Sequence, residues 1–299
     1  MTNPPPPRAP GGIAALGGRS VARIGFGAMQ LAERPGRAAT DRAAAVALLR
    51  RAVDLGVNHI DTAQFYGPGT CNELIRAALA PYPEELTLVT KVGATLRDSA
   101  IVPAQRPEEL RAQVEANLAT LGVEQVAVVN LRRLDAPPGL RAEGDQLVDL
   151  DSQLAELISL RDAGKIGAIG LSHVDADRLR RALPAGIVCV QNAYSLLDRA
   201  ATPVLEVCRA HDIAWVPYFP LGSAFPGYPK VTDHPVVREI AARLDAAPAA
   251  VGLAWLLADY PHTLLIPGTS DPDHLAENMG AGAIRLAADD LAALTGIGA

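Results

Sequence analysis

Eight short apolar runs, rich in β-branched residues, punctuate the chain: ARIGFGAM (22–29), VNHIDTA (57–63), LTLVTKV (86–92), VAVVNLR (126–132), IGAIGLS (166–172), IVCVQNAY (187–194), IAWVPYFP (213–220) and TLLIPGT (263–269). Short, nearly continuous apolar runs suit parallel strands buried on both faces. Helical spacing of apolar residues fills intervals between them, at 41–56, 107–122, 151–165 and 202–212. The first of these helices stops at Gly56, and the second opens on Pro107 with Glu108 and Glu109 behind it, as helix ends demand. Eight strands alternating with helices in 299 residues predict an α/β fold, a closed (β/α)8 TIM barrel. An open doubly wound sheet is the alternative, but no GxGxxG follows the first run. Residues 11–21 precede the barrel and are expected to form a hairpin closing its floor. Residues 222–235, GSAFPGYPKVTDHP, are expected to be a long loop after the seventh strand, on the catalytic side.

Composition narrows the rest. Apolar residues make up 49% and aromatics only 4%, so the core must be built from Ala, Val, Leu and Ile. The net charge of −6 is spread with both signs mixed, and no Lys/Arg stripe marks a nucleic-acid partner. Cys71, Cys189 and Cys208 are far apart, and with His211, His234 and His262 they form no metal-ligand spacing, so no metal is expected. Scattered thiols, no apolar leader-like segment and no run of about twenty apolar residues suggest a cytoplasmic protein without a membrane span. Residues 1–12 read as a flexible Pro-rich tail and 13–299 as one barrel domain.

In such barrels the chemistry sits at the carboxyl ends of the strands. The polar residues there are Asp61, with Tyr66 five positions on, Lys91 and Arg132. Alternation puts His59 and Asp61 on one face of their strand, and Asn130 and Arg132 on one face of theirs, while Arg133 points toward the helices. The residues alone leave two readings open. One is a structural ion-pair network. In the other, Lys91, held by Asp61, lowers the pKa of the Tyr66 phenol from its usual value near ~10, so that Tyr66 exchanges a proton with a substrate oxygen. IPGTSDPDHLAENM (266–279) likewise fits either a plain βα turn or a phosphate site, with Ser270 or Asp271 capping a helix whose first turn holds Pro272.

GVNHIDTAQFYG, LVTK, VVNLR, GLS, VQNAYS and IPGTSDPDHLAENM, in this order from about residue 20 to the end, resemble the aldo-keto reductase family. The resemblance implies a barrel, a nicotinamide cofactor that is usually NADPH, and metal-free reduction of an aldehyde or ketone to an alcohol. It makes Tyr66 the general acid and Asp61 and Lys91 the pair that tunes it. The family's histidine is replaced by Arg132, which adds a fixed charge and is expected to lower the Tyr66 pKa further and steady a developing alkoxide. Ser172 and Gln191 match the residues that hold the carboxamide, with His173 where the family has Asn. Tyr218 matches the aromatic that stacks on the nicotinamide, and Leu221 and Gly222 lie along the pyrophosphate. Thr269, Ser270 and His274 fall near the adenosine 2′-phosphate, and Glu277 and Asn278 near the adenine. The family often has Lys at the position of Gly268 and Arg at that of His274, so NADPH is favoured here with weak discrimination against NADH. Met29, Phe65 and Arg132 are expected to face the small-molecule carbonyl substrate. FYGP, VVNLR and LLIPGTS further resemble the pyridoxal-reducing branch of the family. The alternatives are a related dehydrogenase acting on a sugar or secondary-metabolite carbonyl, and a non-enzymatic nicotinamide-binding sensor or docking module. The complete Asp61, Tyr66, Lys91 set argues against the second, since binding alone needs no proton donor. The sequence is silent on oligomeric state.

Overall fold

The computed structural model of the chain describes residues 9–33, 38–98, 100–135, 140–222 and 229–298. It opens with an antiparallel hairpin of β1 (Ile13–Leu16) and β2 (Arg19–Ala22). Gly17 and Gly18 turn it at φ 57° and 79°, a left-handed pair that side chains resist. Parallel strands β3 (Phe26–Gly27), β4 (His59–Asp61) and β5 (Thr87–Val92) follow, then a second hairpin of β6 (Ala94–Arg97) and β7 (Ala100–Pro103). The parallel set continues with β8 (Val126–Arg132), β9 (Ile166–Ser172), β10 (Ile187–Gln191) and β11 (Ala214–Trp215). Their spatial order is β3-β4-β5-β8-β9-β10-β11. Segment 263–266 closes the ring through parallel bridges of Thr263 to Trp215 and of Leu265 to Ile24. There Leu264 N–H donates to Trp215 O and Gly25 N–H to Leu265 O, each at 2.8 Å. This is the (β/α)8 barrel that the alternation predicts, with three of its eight staves (β3, β11 and segment 263–266) reduced to a few bonded residues.

The helices in chain order are α1 (Arg42–Asp54), α2 (Thr70–Leu79), α3 (Pro107–Leu121), α4 (Leu150–Asp162), α5 (Ala176–Ala182), α6 (Thr202–Ala210), α7 (Pro235–Arg243), α8 (Pro248–Asp259), α9 (Pro272–Gly280) and α10 (Ala288–Thr295). The four expected helices appear as α1, α3, α4 and α6. Helix α8 carries no apolar stripe to read because residues 250–257 are all buried, so it is apolar nearly all round. The β6–β7 hairpin was likewise not anticipated. Of the expected tail, residues 1–8 lie outside the described residues. Residues 9–12 do not hang free: Pro10 O accepts from Ile24 N–H at 3.0 Å and Gly12 O from Arg23 N–H at 2.9 Å, which ties them to the barrel. Within the expected loop 222–235, residues 223–228 also lie outside the described residues.

The first hairpin does close the floor. Leu16 and Val21 are buried and pack against Val89, Val128, Ala168, Ala214 and Leu264, the inward side chains of successive strands. The hairpin therefore acts as an apolar plug that keeps water out of the barrel from below. Leu16→Ala should cost about 2–5 kcal/mol of folding stability, because the rigid staves cannot collapse onto the void. Urea titration would show it as a lower midpoint with an unchanged slope.

Candidate active site

Side-chain parity decides what meets at the upper mouth. Along β8, Val128 joins the barrel interior and Asn130 follows it inward, accepting from Cys189 Sγ at 3.3 Å, so Arg132 takes the same face one step higher. The same alternation brings Lys91 above Val89, Ser172 above Ala168, Gln191 above Cys189 and Tyr218 above Val216. Register stacks these residues in layers. Lys91 pairs with Asn130, while Arg132 and Gln191 both pair with Ser172.

At the centre, the Lys91 ammonium is bonded to Asp61 Oδ1, and both residues are buried. Lys91 also donates to Thr62 O at 3.3 Å, and Gln191 Nε2 donates to Asp61 Oδ2 at 2.7 Å. The Lys91 Nζ lies 5.2 Å from the centroid of the Tyr66 ring. Burial works against the Lys91 charge, but Asp61 and then Tyr66 outweigh it and hold its pKa above the ordinary value. For Tyr66 the expectation of a lowered pKa is corrected. Burial pushes the phenol up, Lys91 pulls it down, Asp61 pushes up again, and the pull of Arg132 is the smallest, so the phenol ends above its ordinary value. Desolvation of the phenolate outweighs its cations.

Tyr66 stands on the loop after β4, edge-on to Phe65 with ring centroids 5.2 Å apart. A polar network holds that loop. Thr62 Oγ1 donates to Asn72 Oδ1 at 2.8 Å, and Asn72 Nδ2 donates to Gln64 Oε1 and Asn117 Oδ1, each at 3.0 Å. Thr90 Oγ1 adds a bond to Asn117 at 2.6 Å. The sequence reading missed this network, although Gln113, Asn117 and Thr120 form a polar row on one face of α3 that signals it. A second missed group supports Arg132. Gln105 Nε2 donates to Arg132 O at 2.8 Å and is itself held by Gln153 Nε2, which donates to Gln105 Oε1 at 3.0 Å. Arg133, as alternation requires, points outward. It is buried, bonded to Gln153 and to Asp135 at 2.5 Å, and shares that carboxylate with Arg178 at 2.9 Å.

The residues matched to a nicotinamide lie beside this centre. Ser172 Oγ and Gln191 Oε1 are buried without a hydrogen-bond partner among the described residues. His173 has a left-handed backbone, φ 60°, and its Nδ1 lies 3.1 Å from the Tyr218 hydroxyl. Met29 sits half-buried in the turn after β3, and Phe65 is buried. Leu221 O accepts from Val231 N–H at 3.1 Å, and Gly222 N–H donates to Phe219 O at 2.9 Å. Farther along, a Cβ on Gly268 would meet Gly27 O at 2.5 Å, so no cationic side chain fits there without a backbone shift. Thr269 Oγ1 accepts from Asp271 N–H at 3.0 Å. Asp271 caps α9, taking the N–H groups of Asp273 at 2.8 Å and His274 at 3.2 Å. The N–H donors expected to be free for phosphate are therefore partly used. Ser270 is half-buried, His274 and Glu277 are exposed, and Asn278 is buried.

A barrel whose mouth gathers a buried carboxylate, an ammonium and a phenol has the architecture of an enzyme site. Residues 23–299 match the Aldo/keto reductase family, and the chain belongs to it, with the carbonyl reduction that membership brings. It is 43% identical over 286 residues to pyridoxine 4-dehydrogenase of Escherichia coli strain K12, covering 94% of this chain and 96% of that one. Among solved structures it resembles the thermostable aldo-keto reductase Tm1743 in complex with epalrestat, with TM-score 0.79, 27% identity and coverage of 96% and 99%. It also resembles an aldo-keto reductase from Klebsiella pneumoniae in complex with NADPH, with TM-score 0.75, 25% identity and coverage of 92% and 90%.

Directly below Asp61 on the same strand, His59 lines a small interior cavity with Asp61, Cys189 and Gln191. Burial, which penalises the charged imidazolium, pushes its pKa down to about 4. The unfolded chain binds that proton near pH ~6.5 and the folded one only near 4, so stability is lost as pH falls through this window, by roughly 3 kcal/mol. Denaturant titrations across pH should show the loss, and His59→Asn should flatten the slope by about one proton.

Proposed function

We propose that the protein reduces the aldehyde of pyridoxal to the alcohol of pyridoxine with NADPH, Tyr66 serving as general acid. The reading is carried by one observation: a phenol, an ammonium and a carboxylate converge beside two buried polar atoms that have no partner among the described residues. Those atoms, Ser172 Oγ and Gln191 Oε1, are a donor and an acceptor on adjacent strands, which is what a carboxamide requires. Gln191 Nε2 is committed to Asp61, so only its acceptor faces the ligand. When bound, the reduced nicotinamide supplies the hydride to the carbonyl carbon.

The chain's own residues do the rest. Tyr66, a phenol protonated at neutral pH in any case, gives its hydroxyl proton to the carbonyl oxygen as negative charge develops there. The phenolate left behind is steadied by the Lys91 ammonium, which Asp61 and Thr62 O fix in place. Arg132 contributes a second, permanent positive charge at the same mouth. Pyridoxal as substrate rests on the likeness to pyridoxine 4-dehydrogenase and on an aromatic-walled mouth suited to a flat ring.

Tyr66→Phe should lower kcat by about a hundredfold or more while the fold is kept, because nothing else at the mouth replaces the proton. Full speed in that variant would remove Tyr66 from the mechanism. Steady-state rates with pyridoxal against a panel of other aldehydes, ketones and sugars test the substrate; inactivity on pyridoxal with good turnover elsewhere would end that assignment. At the far end, Thr269, Ser270 and His274 would take the 2′-phosphate, with the Asp271 carboxylate close by. Asp271→Asn preserves the helix cap and removes that charge. It should tighten NADPH binding by about threefold and leave NADH unchanged, read by fluorescence titration.

A further inference from the structure

Arg132 differs from the other buried or half-buried arginines around it in what it lacks. Arg133 and Arg178 share Asp135, but among the described residues no carboxylate lies in ion-pair range of the Arg132 guanidinium. Strand parity turns it inward, a layer above Lys91 and beside Ser172. Its backbone is fixed by Gln105, so the side chain starts from a defined point. The nearby acids are already engaged. Asp61 is held by Lys91 and Gln191, and Asp198, on the loop after β10, accepts from Ala200 N–H at 3.2 Å. The charge of Arg132 reaches the phenols of both Tyr66 and Tyr218, which places it over the reacting end of the site and away from the phosphate end.

We propose that Arg132 is an anion-binding subsite for the substrate: the carbonyl compounds this enzyme selects carry an ionised oxygen next to the reacting carbon, as in 2-hydroxyaryl aldehydes. Two permanent cations face one carboxylate at this mouth. Covering the site with a neutral aldehyde would strip water from an unpaired guanidinium, which is costly. A phenolate ortho to the aldehyde offers a coplanar acceptor, and the planar guanidinium fork matches it. Charge recognition here is a separate task from stabilising the transition state. The inference rests on the carbonyl-reductase reading above, but it does not need pyridoxal to be the natural substrate.

The test compares 2-hydroxybenzaldehyde with 2-methoxybenzaldehyde, at saturating NADPH, in the wild type and in Arg132→Gln and Arg132→Lys. The wild type should favour the hydroxylated aldehyde by about tenfold or more in kcat/KM, the advantage residing in KM and growing as the substrate's phenol ionises. Arg132→Gln should bring the ratio to near one and abolish its pH dependence, while Arg132→Lys should keep part of both. Circular dichroism and thermal melting confirm that each variant is folded. A rate loss shared equally by the two aldehydes, with the ratio intact, would overturn the subsite and leave Arg132 a transition-state cation only. Failure of the folded wild type to reduce either aldehyde would overturn the proposed substrate class, and turnover of another carbonyl in the panel above would show that the reductase reading survives it.

Discussion

The buried ion pair of Lys91 and Asp61 is the constraint around which the mouth is arranged. Two charges removed from water are tolerated only when paired and fully hydrogen-bonded. Here the pair draws on three strands: β4 supplies the carboxylate, β5 the ammonium, and β10 the amide of Gln191, which occupies the second carboxylate oxygen. A slip of one residue in any of these strands would turn its polar group outward and strand the others. The ion pair thus fixes register and chemistry together. It also explains why the Tyr66 loop is so heavily braced, since a phenol beside an ammonium is useful only if its distance is kept.

Much of this was legible beforehand because a barrel strand has a period of two. Once the eight runs are recognised, inward positions follow by counting, and Asp61, Lys91, Arg132, Ser172 and Gln191 all fall on the inward count. The same count separates the two neighbouring arginines, sending Arg132 to the mouth and Arg133 to the helix layer. Tyr66 lies on a loop where no period applies; its place five residues after Asp61 made it a candidate, and the resemblance chose between the two readings left open for it. The braces were not read at all. Gln105, Gln113, Asn117 and Gln153 are distant in sequence and look like surface polar residues until the helices show that each is buried against a strand end. Helix α8 and the β6–β7 hairpin escaped for a related reason: one is apolar on every side, and the other is a short antiparallel insertion in a parallel pattern.

The electrostatics needed the structure outright. Counting charges suggests a Tyr66 phenol made acidic by two cations. Burial reverses the sign, because the phenolate loses more hydration than the cations return. A raised pKa is compatible with an acid that works in the reductive direction, since the proton must still be present when the carbonyl oxygen begins to take charge. What the cations change is the fate of the phenolate once the proton has left.

The two ends of the site depart from the family's pattern in opposite senses. At the end proposed above to take the 2′-phosphate, Gly268 is pressed against Gly27 O and leaves no room for a cationic side chain, and the cap of α9 brings a carboxylate close. At the reacting end a cation has been gained, because a histidine that can be neutral is replaced by a guanidinium that cannot. In the proposed arrangement, positive charge is thereby shifted along the groove from the cofactor's far end toward the substrate. An enzyme arranged this way depends less on gripping the cofactor through its distal phosphate and more on what its substrate brings to the mouth. Discrimination in such a site should reside in the ionisation state of the carbonyl compound, which is set by the compound's own acidity and by Arg132 together.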